Sequence, residues 1–325
     1  MTAPACPPAR VLVAERISAG GLDLLRVAGH EVDVRLRMNP AELIEAVAGA
    51  QALIVRSATQ VTGEVLEAGA DLTVVGRAGV GVDNVDLAAA ARLGVTVVNA
   101  PLSNVLSAAE HTVALLLAQA RNIPQAHAAL VAGRWERAQW EGVELAGKTL
   151  GVVGLGRVGR LVTERLAPFG MAIVAHDPYV SSEQVSGLPI ELVSLCELLA
   201  RSDFVTLHMA KTPETAGLIG AEALAVAKPG VRIVNVARGG LIDEAALAEA
   251  LRSGKVAGAA LDVFDGEPIE SSPLFGLSGV VVTPHLGAST VEAQRRAGVD
   301  VAEQVNDALA GRPVRFAVTP PAAAG

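Results

Sequence analysis

Three apolar runs typical of buried strands are each followed by a residue suited to acid–base or ionic chemistry: Arg238, Glu267 and His285. A histidine can accept a hydroxyl proton, and a carboxylate on its other ring nitrogen fixes the tautomer and favours imidazolium. A guanidinium can bind a carboxylate and a carbonyl oxygen. The three together are suited to oxidising a carbinol by hydride transfer, although a single histidine after a proline is more often a capping or loop residue.

A strand, a glycine-rich turn and a helix are predicted around the sequence GLGRVG at 154–159. Gly154 permits a tight turn, Gly156 lets the backbone approach a pyrophosphate, and Gly159 lets the helix lie close to the strand. The N–H groups at the start of the helix can then bind the phosphates. A bare motif of this kind in a chain with 33 glycines could be an ordinary turn. The flanking strand and helix favour a dinucleotide site.

Asp177 ends the next apolar run, about 20 residues after the turn, where a dinucleotide site requires an acid. Its carboxylate can accept hydrogen bonds from both ribose hydroxyls and would repel a 2′-phosphate. The predicted cofactor is therefore NAD rather than NADP. In the alternative interpretation, Asp177 caps the Asp-Pro turn that follows it.

The other five histidines lack such partners in the sequence: His30, His111, His127, His176 and His208. His111 follows Glu110 on a predicted helix and is expected to be structural. His208 ends a predicted strand near the cofactor. Neither is expected to be catalytic.

The composition indicates a two-domain α/β protein. The chain has 325 residues, too many for one typical core, and apolar residues make up 51% of it while aromatic residues make up 2%. Such a core consists of Ala, Val and Leu, as in helices packed on a parallel sheet. A net charge of -8 without a basic run argues against nucleic acid or a membrane surface as the main partner.

The two cysteines, Cys6 and Cys196, have no metal-binding or redox spacing, and no metal site is predicted. The segment 1–10 lacks the apolar region of a signal peptide, and no apolar run is long enough to span a membrane. We therefore expect a cytoplasmic protein. The ending PPAAAG is expected to be disordered.

The predicted fold is a doubly wound Rossmann nucleotide domain inserted into a smaller, discontinuous, flavodoxin-like α/β substrate domain. The nucleotide domain covers 101–287 with a six-stranded sheet and begins with a long helix capped by Ser103 or Asn104. The substrate domain covers 1–100 and 288–325. A helix predicted over 289–310 returns to pack on it.

Two loops at strand ends of the first domain could bind an anion. Arg56 and Arg77 follow predicted strands, and the carboxyl ends of parallel strands face the ligand in open α/β sheets. The backbone N–H groups of Gly79, Val80 and Gly81 could bind a carboxylate. Alternatively, these are two surface arginines and a flexible turn.

The chain resembles the D-isomer-specific 2-hydroxyacid dehydrogenase family almost continuously from Leu53 to Arg296. The resemblance is carried by LIVRSAT, VVGRAGVGVDNVD, NAPLSNVLSAAEH, GKTLGVVGLGRVGR, KPGVRIVNVARGGLIDE, GAALDVF and TPHLGAST. It implies that Arg238, Glu267 and His285 are the catalytic set, with the nicotinamide amide near Asp262.

The resemblance also implies a wider set of contacts. Expected cofactor contacts are Gly154, Gly156, Arg157, Val158, Gly159, Asp177, Val236, Ala237, Arg238, Asp262, His285, Gly287 and Ala288. Expected substrate contacts are Arg56, Ser57, Arg77, Gly79, Val80 and Arg238. Members of the family usually form dimers through the nucleotide domain, so we expect a homodimer or higher homo-oligomer, with the segment 135–140 as a possible arm.

Within the family the resemblance is strongest to the branch that oxidises 3-phospho-D-glycerate to 3-phosphohydroxypyruvate with NAD, the entry to serine synthesis. The pair Arg56 and Arg77 favours a phosphorylated substrate. The alternatives are a glyoxylate or hydroxypyruvate reductase, another D-2-hydroxyacid dehydrogenase, or an NAD-sensing binding protein similar to a corepressor.

Three departures from the family pattern concern substrate and cofactor contacts: Gln60 in place of a lysine, Val80 in place of a threonine, and Met209-Ala210 in place of Thr-Pro. The sequence also ends after the predicted return helix, without the serine-binding regulatory domains of longer relatives. We therefore expect no feedback inhibition by serine, unless the sequence is part of a longer protein.

Overall fold

The computed structural model describes residues 8–318 and divides into two compact units. One unit comprises 1–105 and 288–325, and the other comprises 106–287. The first division thus falls between Val105 and Leu106, whereas the sequence analysis places it at 100/101. Cys6 and the ending PPAAAG lie outside the described residues.

The first unit contains a five-stranded parallel sheet with the strand order β2-β1-β3-β4-β5. The strands are β1 (Arg10–Val13), β2 (Glu31–Val34), β3 (Ala52–Val55), β4 (Val74–Arg77) and β5 (Thr96–Asn99). This is the flavodoxin-like order of a doubly wound sheet, as predicted. The helices are α1 (Ala19–Val27), α2 (Pro40–Val47), α3 (Gly63–Ala68), α4 (Leu87–Arg92) and the C-terminal α11 (Val291–Leu309).

Helices cover both faces of this sheet, so β1, β3, β4 and β5 are largely buried, whereas the edge strand β2 is partly exposed. Leu43 and Leu66 pack on one face, and Leu25 and Val301 pack on the other. A Cβ at Gly76 of β4 would lie 2.9 Å from Val305 Cγ2, so the missing side chain lets α11 approach the sheet. The predicted return of the last helix to this unit is confirmed.

Local chemistry sets where these helices begin. At α2 the Asn39 side chain accepts a hydrogen bond from the N–H of Glu42 at 3.0 Å, and Glu42 accepts one from the N–H of Asn39 at 2.8 Å. This reciprocal arrangement satisfies two N–H groups that a helix leaves unpaired. Pro40 at the first helical position needs no N–H partner. Thr290 caps α11 by accepting from the N–H of Ala293 at 3.1 Å.

The second unit contains a parallel sheet in the order β12-β11-β10-β9-β6-β7-β8. The strands are β6 (Thr149–Val153), β7 (Ala172–His176), β8 (Glu191–Leu192), β9 (Phe204–Leu207), β10 (Val231–Asn235), β11 (Val256–Leu261) and β12 (Val280–Val282). The chain order reverses between β6 and β9, as in the Rossmann fold. The prediction of six strands was wrong, because the two-residue strand β8 adds a seventh at the edge. So short a strand has no apolar alternation to reveal it.

Six helices accompany this sheet: α5 (Val105–Ala120), α6 (Ile123–Val131), α7 (Arg157–Leu166), α8 (Leu195–Arg201), α9 (Ala221–Val226) and α10 (Glu244–Arg252). Neither α6 nor α9 is among the helices that the sequence predicts. Short 3₁₀ helices occupy Arg137–Trp140, Ala167–Phe169 and Ser182–Val185. No helix in the described part of the chain is long and apolar enough to cross a membrane.

Candidate active site

The glycine-rich loop connects β6 to α7, and two of its three glycines have no room for a side chain. Gly154 has φ +93, and a Cβ there would lie 2.5 Å from the carbonyl oxygen of His208. A Cβ at Gly159 would overlap the carbonyl oxygen of Gly154, so the first turn of α7 lies against the loop. A Cβ at Gly156, by contrast, would meet nothing within 4 Å. The backbone at Gly156 is therefore open to a ligand.

The N-terminus of α7 is free of a side-chain cap. Gly156 is the N-cap residue and has no side chain that could bind the first N–H groups of the helix. These N–H groups, which belong to Arg157, Val158 and Gly159, carry the positive end of the helix dipole. The loop and helix thus fit the pyrophosphate of a dinucleotide.

Asp177 follows β7 and is bonded to the same loop. One carboxylate oxygen accepts from the N–H of Leu155 at 2.8 Å, and the other accepts from the N–H of Tyr179 at 2.9 Å. The contact with Tyr179 forms the Asp-Pro turn that the alternative interpretation assigns to Asp177. Each oxygen keeps a lone-pair site, because a carboxylate offers about four. Asp177 can therefore stabilise its turn and still accept from ribose hydroxyls.

His285 and Glu267 form the closest ionisable pair at the carboxyl ends of the strands. His285 Nδ1 lies 2.5 Å from Glu267 Oε2, and their side chains are 48% and 30% exposed. The hydrogen bond to Glu267 raises the pKa of His285; burial opposes this rise, and the charges of Glu267 and Asp262 support it. Burial acts to raise the pKa of Glu267, but the hydrogen bonds from His285 and the N–H of Phe264 outweigh it and lower that pKa. Both shifts favour imidazolium beside carboxylate.

The backbone of His285 adopts a left-handed conformation, with φ +55. A residue with a side chain holds this conformation only where its surroundings enforce it. Here the N–H of His285 donates to the carbonyl oxygen of Asp262 at 2.8 Å. The next two N–H groups, of Leu286 and Gly287, each donate to the Asp262 carboxylate at 2.7 Å. Asp262 thus accepts hydrogen bonds from three consecutive N–H groups of the loop that carries the imidazole.

Asp262 is completely buried and is paired on both carboxylate oxygens. Thr283 Oγ1 donates to Asp262 Oδ1 at 2.5 Å, and His111 Nε2 lies 3.2 Å from the same oxygen. Burial acts to raise the pKa of Asp262, but the hydrogen bonds from His111, Thr283 and the two N–H groups outweigh it, so that pKa is lowered. Asp262 therefore stays ionised in the interior.

Arg238 lies on the loop after β10, where Asn235 fixes the backbone. Asn235 Nδ2 donates to the carbonyl oxygen of Arg238 at 2.9 Å, and Asn235 Oδ1 accepts from the N–H of Ala237 at 3.0 Å. The Arg238 guanidinium donates to the carbonyl oxygen of Ala237 at 2.8 Å. Its charge acts to lower the pKa of His285, so the guanidinium lies within electrostatic range of the imidazole.

The loops at the carboxyl ends of β10, β11 and β12 also contact one another through their backbones. A Cβ at Gly239 would overlap the carbonyl oxygen of Phe264, so the loop of Arg238 lies directly on the loop of Glu267. A Cβ at Gly287 would lie 3.0 Å from Val236 Cγ1 and 3.2 Å from Asp262 Oδ2. The structure therefore brings the predicted catalytic residues and several predicted cofactor contacts to one edge of one sheet.

Sequence reasoning missed the residues that support this set. Thr283 and His111 reach Asp262 across 21 and 151 residues of sequence, and Asn235 organises the loop of Arg238. The position of Thr283 and Asn235 at strand ends could have identified them. No signal links His111 to Asp262, because helical spacing does not reveal contacts with a distant strand.

His208 directly follows β9 and lies next to the glycine-rich loop. Its Nε2 lies 2.9 Å from Thr206 Oγ1, and burial lowers the pKa of His208 to about 3. Such an imidazole is neutral at ordinary pH. Within residues 8–318, no group of three or more His, Cys, Asp or Glu side chains is arranged to hold a metal ion.

In the first unit, Arg56 and Arg77 lie at the carboxyl ends of adjacent strands. Arg77 is the last residue of β4 and pairs in register with Val55, after which Arg56 begins the loop. A Cβ at Gly79 would overlap Arg77 Nη1, so the guanidinium covers that glycine. The carbonyl oxygen of Val80 accepts from Asn99 Nδ2 at 2.6 Å. Ser57, at the tip of the first loop, is exposed.

A family model described as the NAD binding domain of D-isomer specific 2-hydroxyacid dehydrogenase matches residues 113–287. The chain belongs to the D-isomer-specific 2-hydroxyacid dehydrogenase family. The glycine-rich loop, α7 and Asp177 lie within the matched residues, and the cofactor of this family domain is NAD.

Comparisons with individual proteins show the extent of the likeness. D-3-phosphoglycerate dehydrogenase of Mycobacterium tuberculosis is 58% identical over 310 residues, which cover 95% of this chain and 58% of that protein. The crystal structure of a protein from Thermus thermophilus is 39% identical with a TM-score of 0.88, and the match covers 95% of this chain and 100% of that one.

Another similar structure contains NAD. NAD-dependent formate dehydrogenase from Staphylococcus aureus, in complex with NAD, is 32% identical with a TM-score of 0.85, and the match covers 96% of this chain and 99% of that one. This chain spans little more than half the length of the D-3-phosphoglycerate dehydrogenases that it matches.

Proposed function

We propose that this chain catalyses the NAD-dependent oxidation of 3-phospho-D-glycerate to 3-phosphohydroxypyruvate, a step of serine synthesis. The observation that carries the proposal is the pair of His285 and Glu267 at 2.5 Å, on the sheet edge that also carries the glycine-rich loop and Arg238. The identity of 58% to D-3-phosphoglycerate dehydrogenase of Mycobacterium tuberculosis supports the choice of substrate.

The geometry supports a separate role for each ring nitrogen of His285. Nδ1 of His285 is bonded to Glu267, so Nε2 is the nitrogen that accepts the hydroxyl proton of the substrate. The Glu267 carboxylate holds the ring in this tautomer and stabilises the imidazolium that forms. The raised pKa of His285 shifts to higher pH the range in which the imidazole is neutral, so oxidation is favoured at higher pH. The protonated form is suited to the reverse reduction.

Arg238 is proposed to bind the carboxylate and the reacting oxygen of the substrate. A guanidinium can donate two parallel hydrogen bonds to a carboxylate, which fixes the orientation of the carbon that is oxidised. Its positive charge also stabilises negative charge that develops on the oxygen as the proton leaves. Asn235 holds the backbone of this loop.

The dinucleotide is proposed to be held by Gly154, Gly156, Arg157, Val158, Gly159 and Asp177, with further contacts from Val236, Ala237, Asp262, Gly287 and Ala288. When bound, NAD supplies the acceptor for the hydrogen and electron pair that leave the substrate carbon. The open backbone at Gly156 and the uncapped start of α7 support the phosphate contacts.

Arg56, Ser57, Arg77 and Val80 are proposed to bind the phosphate or carboxylate of the substrate. The expected contact from Gly79 is not proposed, because its N–H donates to the carbonyl oxygen of Arg77 at 2.8 Å. The arginines lie at the carboxyl ends of adjacent strands, and two cations are suited to the double charge of a phosphate. A glyoxylate or hydroxypyruvate reductase, whose substrate has no phosphate, would gain nothing from the second arginine.

The protein is further proposed to be a cytoplasmic homodimer that associates through the nucleotide unit. Four large apolar side chains on α6 and the segment after it are at least half exposed: Ile123 at 53%, Leu130 at 54%, Val131 at 73% and Trp135 at 77%. All four lie between residues 123 and 135, and a patch of exposed apolar side chains commonly marks a protein interface.

A panel of D-2-hydroxy acids with and without a phosphate group tests the proposed reaction. The expected result is NADH formation with 3-phospho-D-glycerate at a higher kcat/KM than with glycerate or lactate. Preference for an unphosphorylated acid would favour the reductase alternative, and NAD binding without turnover of any acid would favour a binding protein similar to a corepressor.

A further inference from the structure

The loop 56–59 after β3 is held by two side chains from other parts of the first unit. Glu15 follows β1, the neighbour of β3 in the sheet, and its Oε1 accepts from the N–H groups of Arg56 at 2.8 Å and Thr59 at 2.9 Å. Its Oε2 accepts from the N–H of Ala58 at 3.4 Å. One carboxylate therefore accepts hydrogen bonds from three of the four backbone N–H groups of the loop.

Asn84 holds the same loop by its carbonyl groups. Asn84 Nδ2 donates to the carbonyl oxygen of Arg56 at 2.7 Å and to that of Thr59 at 2.6 Å. Asn84 is buried, at 8% exposure. Its main-chain carbonyl oxygen accepts from the N–H of Val61 at 2.8 Å. Arg56 and Thr59 are thus bound on both their N–H and their C=O groups, while Ser57 between them stays exposed.

These contacts define which groups of the loop can meet an anion. The N–H groups of Arg56, Ala58 and Thr59 point to Glu15, so they are engaged by a carboxylate of the protein. These three N–H groups cannot bind an incoming phosphate, so the Arg56 guanidinium is the cation that this loop offers. Its direction depends on the backbone from which it extends. The negative charge of Glu15 would itself repel the substrate phosphate. For Glu15 to favour binding, the ordering of the loop by its hydrogen bonds must outweigh this repulsion.

We propose that Glu15 and Asn84 are positioning residues that fix the loop 56–59 and thereby set the selectivity of the protein for acids that carry a phosphate. The inference rests on the proposed function, because it takes Arg56 as a ligand of the substrate phosphate. It adds two residues that touch neither substrate nor cofactor.

The hydrogen bonds and the charge of Glu15 can be separated by two substitutions. Glu15→Ala removes all three acceptor contacts, and we expect it to raise the KM for 3-phospho-D-glycerate by about tenfold or more, with kcat and the KM for NAD within about threefold of wild type. Glu15→Gln keeps an amide oxygen in the place of Oε1, which accepts the two short hydrogen bonds. It should restore the KM to within about threefold of wild type.

Asn84→Ala provides a second, independent variant. It removes both donors to the loop and should raise the same KM in the same direction, and it carries the test if Glu15→Ala does not fold. Glu45→Ala, which removes an exposed carboxylate from α2, is the matched control and should leave every kinetic constant unchanged. Thermal melts of all variants confirm that the folded protein is assayed.

Kinetics with unphosphorylated D-2-hydroxy acids show whether the variants lose selectivity for the phosphate group or bind every substrate less tightly. Their KM should change by less than about threefold in Glu15→Ala and Asn84→Ala. An unchanged KM for 3-phospho-D-glycerate in both variants, or an equal rise for phosphorylated and unphosphorylated acids, would overturn the inference. If the wild-type protein does not oxidise 3-phospho-D-glycerate at all, the proposed function fails, and that outcome is seen before any variant is made.

Discussion

At the scale of single residues, burial and hydrogen bonds determine whether the proton shared by His285 and Glu267 lies on the imidazole or on the carboxylate. His285 and Glu267 are only partly buried, yet a hydrogen bond of 2.5 Å joins them, and both shifts of pKa favour the ion pair. The charge of Asp262 supports this state and that of Arg238 opposes it. The base strength of the imidazole is therefore set by three charged neighbours.

Glu267→Gln tests this arrangement. The substitution removes the hydrogen-bonded charge that is the largest cause of the raised pKa of His285, so that pKa should fall. Oxidation requires the neutral imidazole, so the acid limb of the profile of kcat/KM against pH should move to lower pH, and kcat should fall because the tautomer is less well fixed. An acid limb that stays in place would show that Glu267 does not control the base.

At the scale of elements, the loop after β12 depends on the buried carboxylate of Asp262. This carboxylate binds two consecutive N–H groups of the loop, a hydroxyl at the end of the strand and an imidazole on α5. The arrangement keeps His285 at φ +55. A helix remote in sequence thus contributes to the position of the base.

Thr283→Val and Thr283→Ser form a matched pair that tests this support. Valine removes the hydroxyl that donates to Asp262 at 2.5 Å and leaves a buried carboxylate short of one donor, at a cost of about 1–3 kcal/mol in the free energy of unfolding. We expect lower denaturant midpoints and a lower kcat. Serine keeps the donor and should retain most of both. Equal behaviour of the two variants would mean that the hydroxyl has no such role.

Local patterns predicted the strands and the glycine-rich loop, because apolar runs and glycine spacing are properties of adjacent residues. They did not predict the edge strand β8, which is too short, or α6, whose exposed apolar residues give no clear stripe. Partners such as His111 for Asp262 and Glu15 for Arg56 lie 151 and 41 residues apart in the chain. Only the assembled sheets bring them together.

At the scale of the whole molecule, the exposed apolar side chains of α6 and the following segment predict a dimer interface. Val131→Glu places a charge on a side chain that is 73% exposed, where a partner subunit would have to bury it. We expect the dissociation constant of the dimer to rise by at least about tenfold in sedimentation equilibrium.

Val27→Glu is the control for this prediction, because Val27 is 87% exposed on α1 of the other unit. It should sediment like wild type. A wild-type protein that is monomeric at micromolar concentration, or a Val131→Glu variant that dimerises as tightly as wild type, would contradict the proposed interface.

The proton transfer assigned to His285 is the central claim, and one comparison of turnover with binding tests it most directly. His285→Asn removes the base but leaves the glycine-rich loop and Asp177 in place, so kcat with 3-phospho-D-glycerate should fall by about 10²- to 10⁴-fold. The dissociation constant of NADH, measured by fluorescence titration, should stay close to that of wild type. A fall in kcat of less than about tenfold with NADH binding intact would contradict the role of His285 as the base.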